Sequence, residues 1–120
     1  MRKSIYFLSI IFLVFSNCGK ARIDLVSKNS GVNLPEKYDI VKNETKDLGG
    51  PDFEINVVLQ FDKENFNYII KQTDSLAKVN SNWKKSDQSA DYINRSNESE
   101  PEEIKIDLNK RTLYFNLVHL

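Results

Sequence analysis

Few side chains in this chain of 120 residues are suited to chemistry, and their positions limit what they can do. Cys18 is the single cysteine and His119 the single histidine. A thiol nucleophile needs a base within hydrogen-bond reach. His119 is the sole imidazole, and it lies at the other end of the sequence, so we expect no Cys/His catalytic pair. One cysteine cannot close an internal disulfide or build a cysteine-based zinc site, and one histidine excludes a two-histidine metal centre. Carboxylates are more plentiful. Asp87 and Asp91 would serve hydrolysis as acid and base only if they converged with Glu98, Glu100, Glu102 and Glu103 in one pocket. The acidic run around Pro101 lacks the spacing of a calcium loop and is expected to be a solvated loop. Trp83, Tyr92 and Tyr114 are the aromatics that could mark a binding surface on one sheet face; packing against the core is the competing expectation for Trp83. The chain has no glycine-rich phosphate loop and no GxSxG elbow. We therefore expect no catalytic residue, no metal and no cofactor. Basic and acidic residues balance at 17 each, which argues against nucleic acid as a partner.

The N-terminal residues explain Cys18 better than catalysis does. Arg2 and Lys3 precede an apolar run from Ile5 to Phe15, broken only by Ser9. A helix that crosses the bilayer core needs about 17–25 residues, so this run is too short. With its positive start it has the form of a secretory signal peptide. Phe15-Ser16-Asn17-Cys18 ends it and resembles the lipobox of bacterial lipoproteins. Phe15 stands where that family usually has Leu, and Asn17 where it has Gly or Ala. The resemblance implies cleavage before Cys18 and acylation of its sulfur, as in small lipoproteins of flavobacteria-like (Bacteroidota) bacteria. Two or more acyl chains anchor a protein stably where one does not. Loss of residues 1–17 removes two positive charges and no negative one, leaving a net charge of −2. The bilayer would thus be reached through lipid and not through a basic patch. Gly19-Lys20-Ala21-Arg22 holds no acidic sorting residue. The resemblance then implies the cell envelope, at the outer membrane facing the periplasm.

These residues divide the chain into a signal peptide at 1–17, a lipidated Cys18 with a flexible tether to 33, and a small domain at 34–120. Ser27-Lys28-Asn29-Ser30-Gly31 has linker composition. Fifteen tether residues would reach about 50 Å when extended.

Within the domain, Tyr38 to Thr45 reads as a first strand, and Asp47-Leu48-Gly49-Gly50-Pro51-Asp52 as a turn. Phe53 to Phe61 alternates strictly, with Phe53, Ile55, Val57, Leu59 and Phe61 on one face. Asp62 reads as the N-cap of a helix over 63–78 that carries Phe66, Ile69, Ile70, Thr73, Leu76 and Ala77 at helical spacing. Residues 83–95 read as two short edge strands or one broken one, and 96–103 as a loop. The C-terminus reads as a hairpin turning at Asn109-Lys110, with positive φ at Asn109. Ile106 then faces Leu113, and Ile104 faces Phe115. His119 follows Leu113, Phe115 and Leu117 onto the inner face by parity, although a solvated terminus is the simpler expectation.

The expected fold class is α+β in two layers. One helix packs on a four- to five-stranded antiparallel sheet, in the order ββαβ(β)β with a C-terminal β-hairpin. The expected function is a membrane-anchored envelope lipoprotein that binds an envelope protein or component without catalysis. An immunity or inhibitor lipoprotein against an envelope-acting toxin is the alternative. A small carboxylate-dependent hydrolase is the third class.

Overall fold

A computed structural model describes residues 23–120 of the chain. The expected signal peptide and Cys18 lie outside the described residues. The fold is α+β: one open, six-stranded antiparallel sheet and two helices. The first helix, α1, is described over residues 23–30. Then follow β1 (Asp39–Gly49), β2 (Asp52–Gln60), α2 (Lys63–Val79), β3 (Trp83–Lys85), β4 (Ser89–Asn94), β5 (Glu102–Asp107) and β6 (Thr112–His119).

The strands lie in the order β1-β2-β6-β5-β4-β3. Strands β3 to β6 form a meander, and β6 returns to pair with β2, pushing β1 out to one edge. Alternation in β2 turns Ile55, Val57 and Leu59 into the core. The β2–β6 register places them beside Leu117, Phe115 and Leu113. Ile104 and Ile106 of β5 extend this face, and Tyr92 and Ala90 of β4 continue it. Both helices cover this one face, and Ile23, Val26, Phe66 and Ile69 join the same apolar cluster. Each fully buried side chain of this size contributes about 1.5–3 kcal/mol.

Helix α2 starts and stops as its sequence dictates. The Asp62 carboxylate accepts from the Asn65 backbone N–H at 2.8 Å. This satisfies one of the unpaired donors of the first turn. At the other end the Asn80 N–H donates to the Leu76 carbonyl. The hairpin pairs Ile106 with Leu113 and Ile104 with Phe115, the register expected from matching apolar faces.

Five features depart from expectation. The sheet has six strands because residues 83–94 form two strands, and a second helix precedes β1. The stretch expected as flexible tether to residue 33 is folded from residue 23 onward. Residues 23–30 are helical, and Ile23, Val26 and Val32 are almost wholly buried. The reason is an apolar stripe: positions 23, 26 and 30 share a helix face. The Ser30 hydroxyl on that stripe is satisfied by donating to the Val26 carbonyl at 2.6 Å. Gly31 ends α1 with φ 83°, and an added Cβ would lie 3.0 Å from a Leu76 methyl. Asn33 is then clamped to α2 by Gln72, which accepts from its N–H at 2.7 Å and donates to its carbonyl at 2.8 Å.

The third departure is in the β5–β6 turn. Positive φ falls on Arg111 (52°) and not on Asn109. The Asp107 carboxylate organises the turn by accepting from the N–H groups of Asn109 and Lys110. Fourth, Glu102 and Glu103 belong to β5 and not to the acidic loop, since their backbone pairs with β4 and β6. Fifth, β1 runs on through Gly49, and its residues are exposed apart from the half-buried Asn43.

Candidate functional site

Among the described residues, nothing covers the face of the sheet opposite the helices. Strand alternation sends Lys42, Glu44 and Lys46 of β1 to this side, with Glu54, Asn56 and Val58 of β2 beside them. Tyr114 and Asn116 of β6 come next. Glu103 and Lys105 of β5 follow, then Asp91 and Ile93 of β4. Tyr114, 38% exposed, sits between Val58 and Lys105.

Beside Tyr114 lies a polar network. Asn116 Nδ2 donates to Asn56 Oδ1 at 2.8 Å and to Glu54 Oε2 at 3.1 Å. Asn56 Nδ2 donates to the other carboxylate oxygen, Glu54 Oε1, at 3.1 Å. The bond from Asn116, then that from Asn56, hold the Glu54 carboxyl below its ordinary range. Hydrogen bonding to the charged form is the cause. A shallow hollow of about 350 Å³ spans Lys42, Asn56, Val58, Lys105, Tyr114 and Asn116. A second, of about 370 Å³, begins at Glu103 and Asn116 and extends to Arg95, Pro101 and Val118. The face thus offers fixed amides, ammonium groups and one flat aromatic ring. Those groups bind by hydrogen bonding and stacking.

Of the three expected surface aromatics, only Tyr114 lies here. Trp83 and Tyr92 are buried, at 3% and 1% exposure, on the helix side. They pair in register, and Tyr92 also pairs with the core residue Ile104. Their polar tips find partners. Trp83 Nε1 donates to the Ser30 carbonyl at 2.8 Å. The Tyr92 hydroxyl lies 3.2 Å from the Asn29 carbonyl and 3.3 Å from Glu102 Oε1, and accepts from Asn94 Nδ2. Burial, foremost, raises the Tyr92 phenol above its ordinary range. These two aromatics fasten α1 to the sheet.

The candidate carboxylates do not share a pocket. Asp87 is exposed in the turn before β4. Asp91 lies on the open face, its Oδ2 accepting from the Ser89 hydroxyl. Glu102 is buried on the helix side, while its neighbour Glu103 is on the open side with Arg95 at 3.1 Å. Glu98 is exposed, and Glu100 lies 3.2 Å from His119 Nδ1. Strand alternation separates the group across the sheet. Among the described residues, no three His, Cys, Asp or Glu side chains gather in a way that could hold a metal ion.

His119 is on the inner side, as parity requires. Its ring stacks on Phe53 with centroids 4.8 Å apart. The terminus is therefore pinned, and its backbone is pinned too, because the Leu120 N–H donates to the Ser99 carbonyl.

The Glu54–Asn56–Asn116 network is the part of the site that sequence reasoning missed. Its signal was present as polar residues at outward positions of two strands. Bringing them together required the β2–β6 pairing, which joins segments some 60 residues apart in the chain. The chain matches no known protein-family model, no curated protein and no solved structure.

Proposed function

We propose that this chain is an envelope lipoprotein, anchored through acylated Cys18, whose folded unit is a non-enzymatic binding module. The anchor rests on the positive start, the apolar run and the lipobox-like Phe15-Ser16-Asn17-Cys18. The binding role rests on one observation: exposed Tyr114 stands among ordered amides on a sheet face that neither helix covers. Exposed aromatics set among fixed polar groups anchor many interfaces. The partner this face fits is a polar envelope component, held by hydrogen bonds to Asn56 and Asn116 and by contact with the Tyr114 ring.

Two measurements test this reading. The intact mass of membrane-extracted protein should show loss of residues 1–17 and added acyl mass, both abolished by Cys18→Ala. A photo-crosslinking residue at position 114 should trap a defined envelope species. The same residue at position 79, which is 84% exposed at the end of α2, should not. Identical products from both positions would remove the open face from consideration.

A further inference from the structure

The edge strand β1 is long. It spans 11 residues and, among the described residues, pairs with β2 alone. No strand among the described residues lies along its other side, and such an edge is the usual template for strand addition. The opposite edge, β3, has three residues and packs against α2. Ile40 and Val41, at 52% and 61% exposure, add apolar surface at the start of β1.

We infer that β1 is the edge through which two copies of this chain pair, antiparallel, about a two-fold axis at Thr45. The occupant is argued from charge and register. Directly opposite residues in an antiparallel pair share a face. A two-fold axis must therefore pass through a residue and not between two. The regular part of β1 runs from Lys42 to Asp47, because irregularities fall between Ile40 and Lys42 and between Asp47 and Gly49. An axis at Glu44 would set Glu44 against its own copy and Lys42 against Lys46, which is repulsive. An axis at Lys46 opposes two lysines. An axis at Asn43 leaves three regular residues, since the irregularity at Val41 interrupts the rest. An axis at Thr45 pairs five regular residues, 43 to 47. It sets Glu44 against Lys46 of the second copy twice, once on each side of the axis, on the open face. This register alone combines length with opposite charges, which makes the strand self-complementary, as a two-fold interface requires.

Five paired residues bury less than the roughly 1,000 Å² of a free-standing interface. The pairing therefore rests on the proposed anchor in one respect: copies confined to one bilayer meet at high effective concentration.

Thr45 is exposed, so Thr45→Cys leaves the core untouched. The test uses the full chain in its own membrane, with a mild oxidant and non-reducing electrophoresis. The two introduced thiols would sit on residues about 4.5–5.5 Å apart between Cα atoms, inside disulfide range. Lys42→Cys is the control, because its two copies would lie about 20 Å apart along the strands. We expect at least about tenfold more disulfide dimer from Thr45→Cys than from Lys42→Cys, given that separation. Adding Glu44→Lys to Thr45→Cys should abolish the dimer, and further adding Lys46→Glu should restore it. Equal cross-linking at 42 and 45, no cross-linking at 45, or no rescue by the double charge exchange overturns the pairing. A dimer from the chain with no added cysteine would report a free Cys18 thiol. That result counts against the lipid anchor and leaves the comparison between positions 45 and 42 intact.

Discussion

The sharpest consequence of the fold concerns residues 23–33, where linker composition conceals part of the core. A chain of residues 34–120 lacks Ile23, Val26 and Val32, which are 1%, 1% and 0% exposed. Three such side chains at about 1.5–3 kcal/mol each contribute about 5–9 kcal/mol. The denatured chain already hides part of this surface, so the lower end applies. A domain of this size is stable by about 5–15 kcal/mol in total. The truncation also uncovers Trp83 and Tyr92. We therefore expect residues 34–120 to show no cooperative urea transition where residues 19–120 do. Trp83 is the single tryptophan, so its fluorescence reports the change directly and should shift to the red. The milder variant Ile23→Ala should cost about 2–5 kcal/mol, and Lys28→Ala, on the exposed side of α1, within about 0.5 kcal/mol. An unchanged urea midpoint and slope for residues 34–120 would refute the reasoning and return α1 to the role of tether.

Other outcomes follow from single sites. Tyr92→Phe should cost about 1–3 kcal/mol in urea unfolding, because the groups around its hydroxyl lose a partner. The raised Tyr92 pKa means that the folded chain keeps a proton which the unfolded chain releases near about pH 10. Stability should thus fall as pH rises past that point, and Tyr92→Phe should flatten this alkaline limb. Glu54 and Asp107 have lowered pKa values, Glu54 through Asn116 and Asn56, Asp107 through the Lys110 and Asn109 N–H groups. Their stabilisation is present above about pH 4 and lost as pH falls through the lowered values. Glu54→Gln and Asp107→Asn should each reduce the acid dependence of the midpoint. Arg111→Gly should raise stability by up to about 1 kcal/mol, because a left-handed φ costs a non-glycine residue about 1–2 kcal/mol and glycine returns part of that in entropy.

Three elements were readable in the sequence because one period dominated each. β2 alternates, α2 carries a helical stripe behind a capping Asp62, and the last hairpin has two apolar sets that match in a single register. Others were readable only in part or not at all, for distinct reasons. Tyr38 to Thr45 read as a strand, but the run of β1 on to Gly49 did not, because both its faces are exposed and hydrophobicity leaves no mark on it. The described part of α1 spans about two turns, and its buried positions are Ile23, Val26 and a serine that satisfies its own hydroxyl within the helix. Composition cannot separate that pattern from a linker. Trp83 and Tyr92 were ambiguous because their side of the sheet depends on pairing with Ile104, two strands on. The open-face network was hidden by the same kind of non-local pairing.

The anchor, the strand pairing and the open face constrain one another. Two copies anchored in one bilayer are related by a two-fold axis along the membrane normal, since a two-fold lying in the plane would carry one anchor to the far side. The axis at Thr45 is perpendicular to the sheet, because paired residues share a face. In the proposed pair the sheet would then lie flat on the bilayer. Only residues 19–22 separate Cys18 from Ile23, a reach of at most about 17 Å. With α1 on the helix side, the proposed anchor would turn that side to the lipid and Tyr114 away from it. Tyr68 and Tyr114 are 48% and 38% exposed, so cysteines placed at the two positions would react comparably in detergent. On intact vesicles carrying the acylated chain, a bulky membrane-impermeant maleimide should label Tyr114→Cys well before Tyr68→Cys. Equal rates on vesicles would mean that the sheet stands upright, and an upright sheet cannot pair through β1 about Thr45 with both anchors in one membrane.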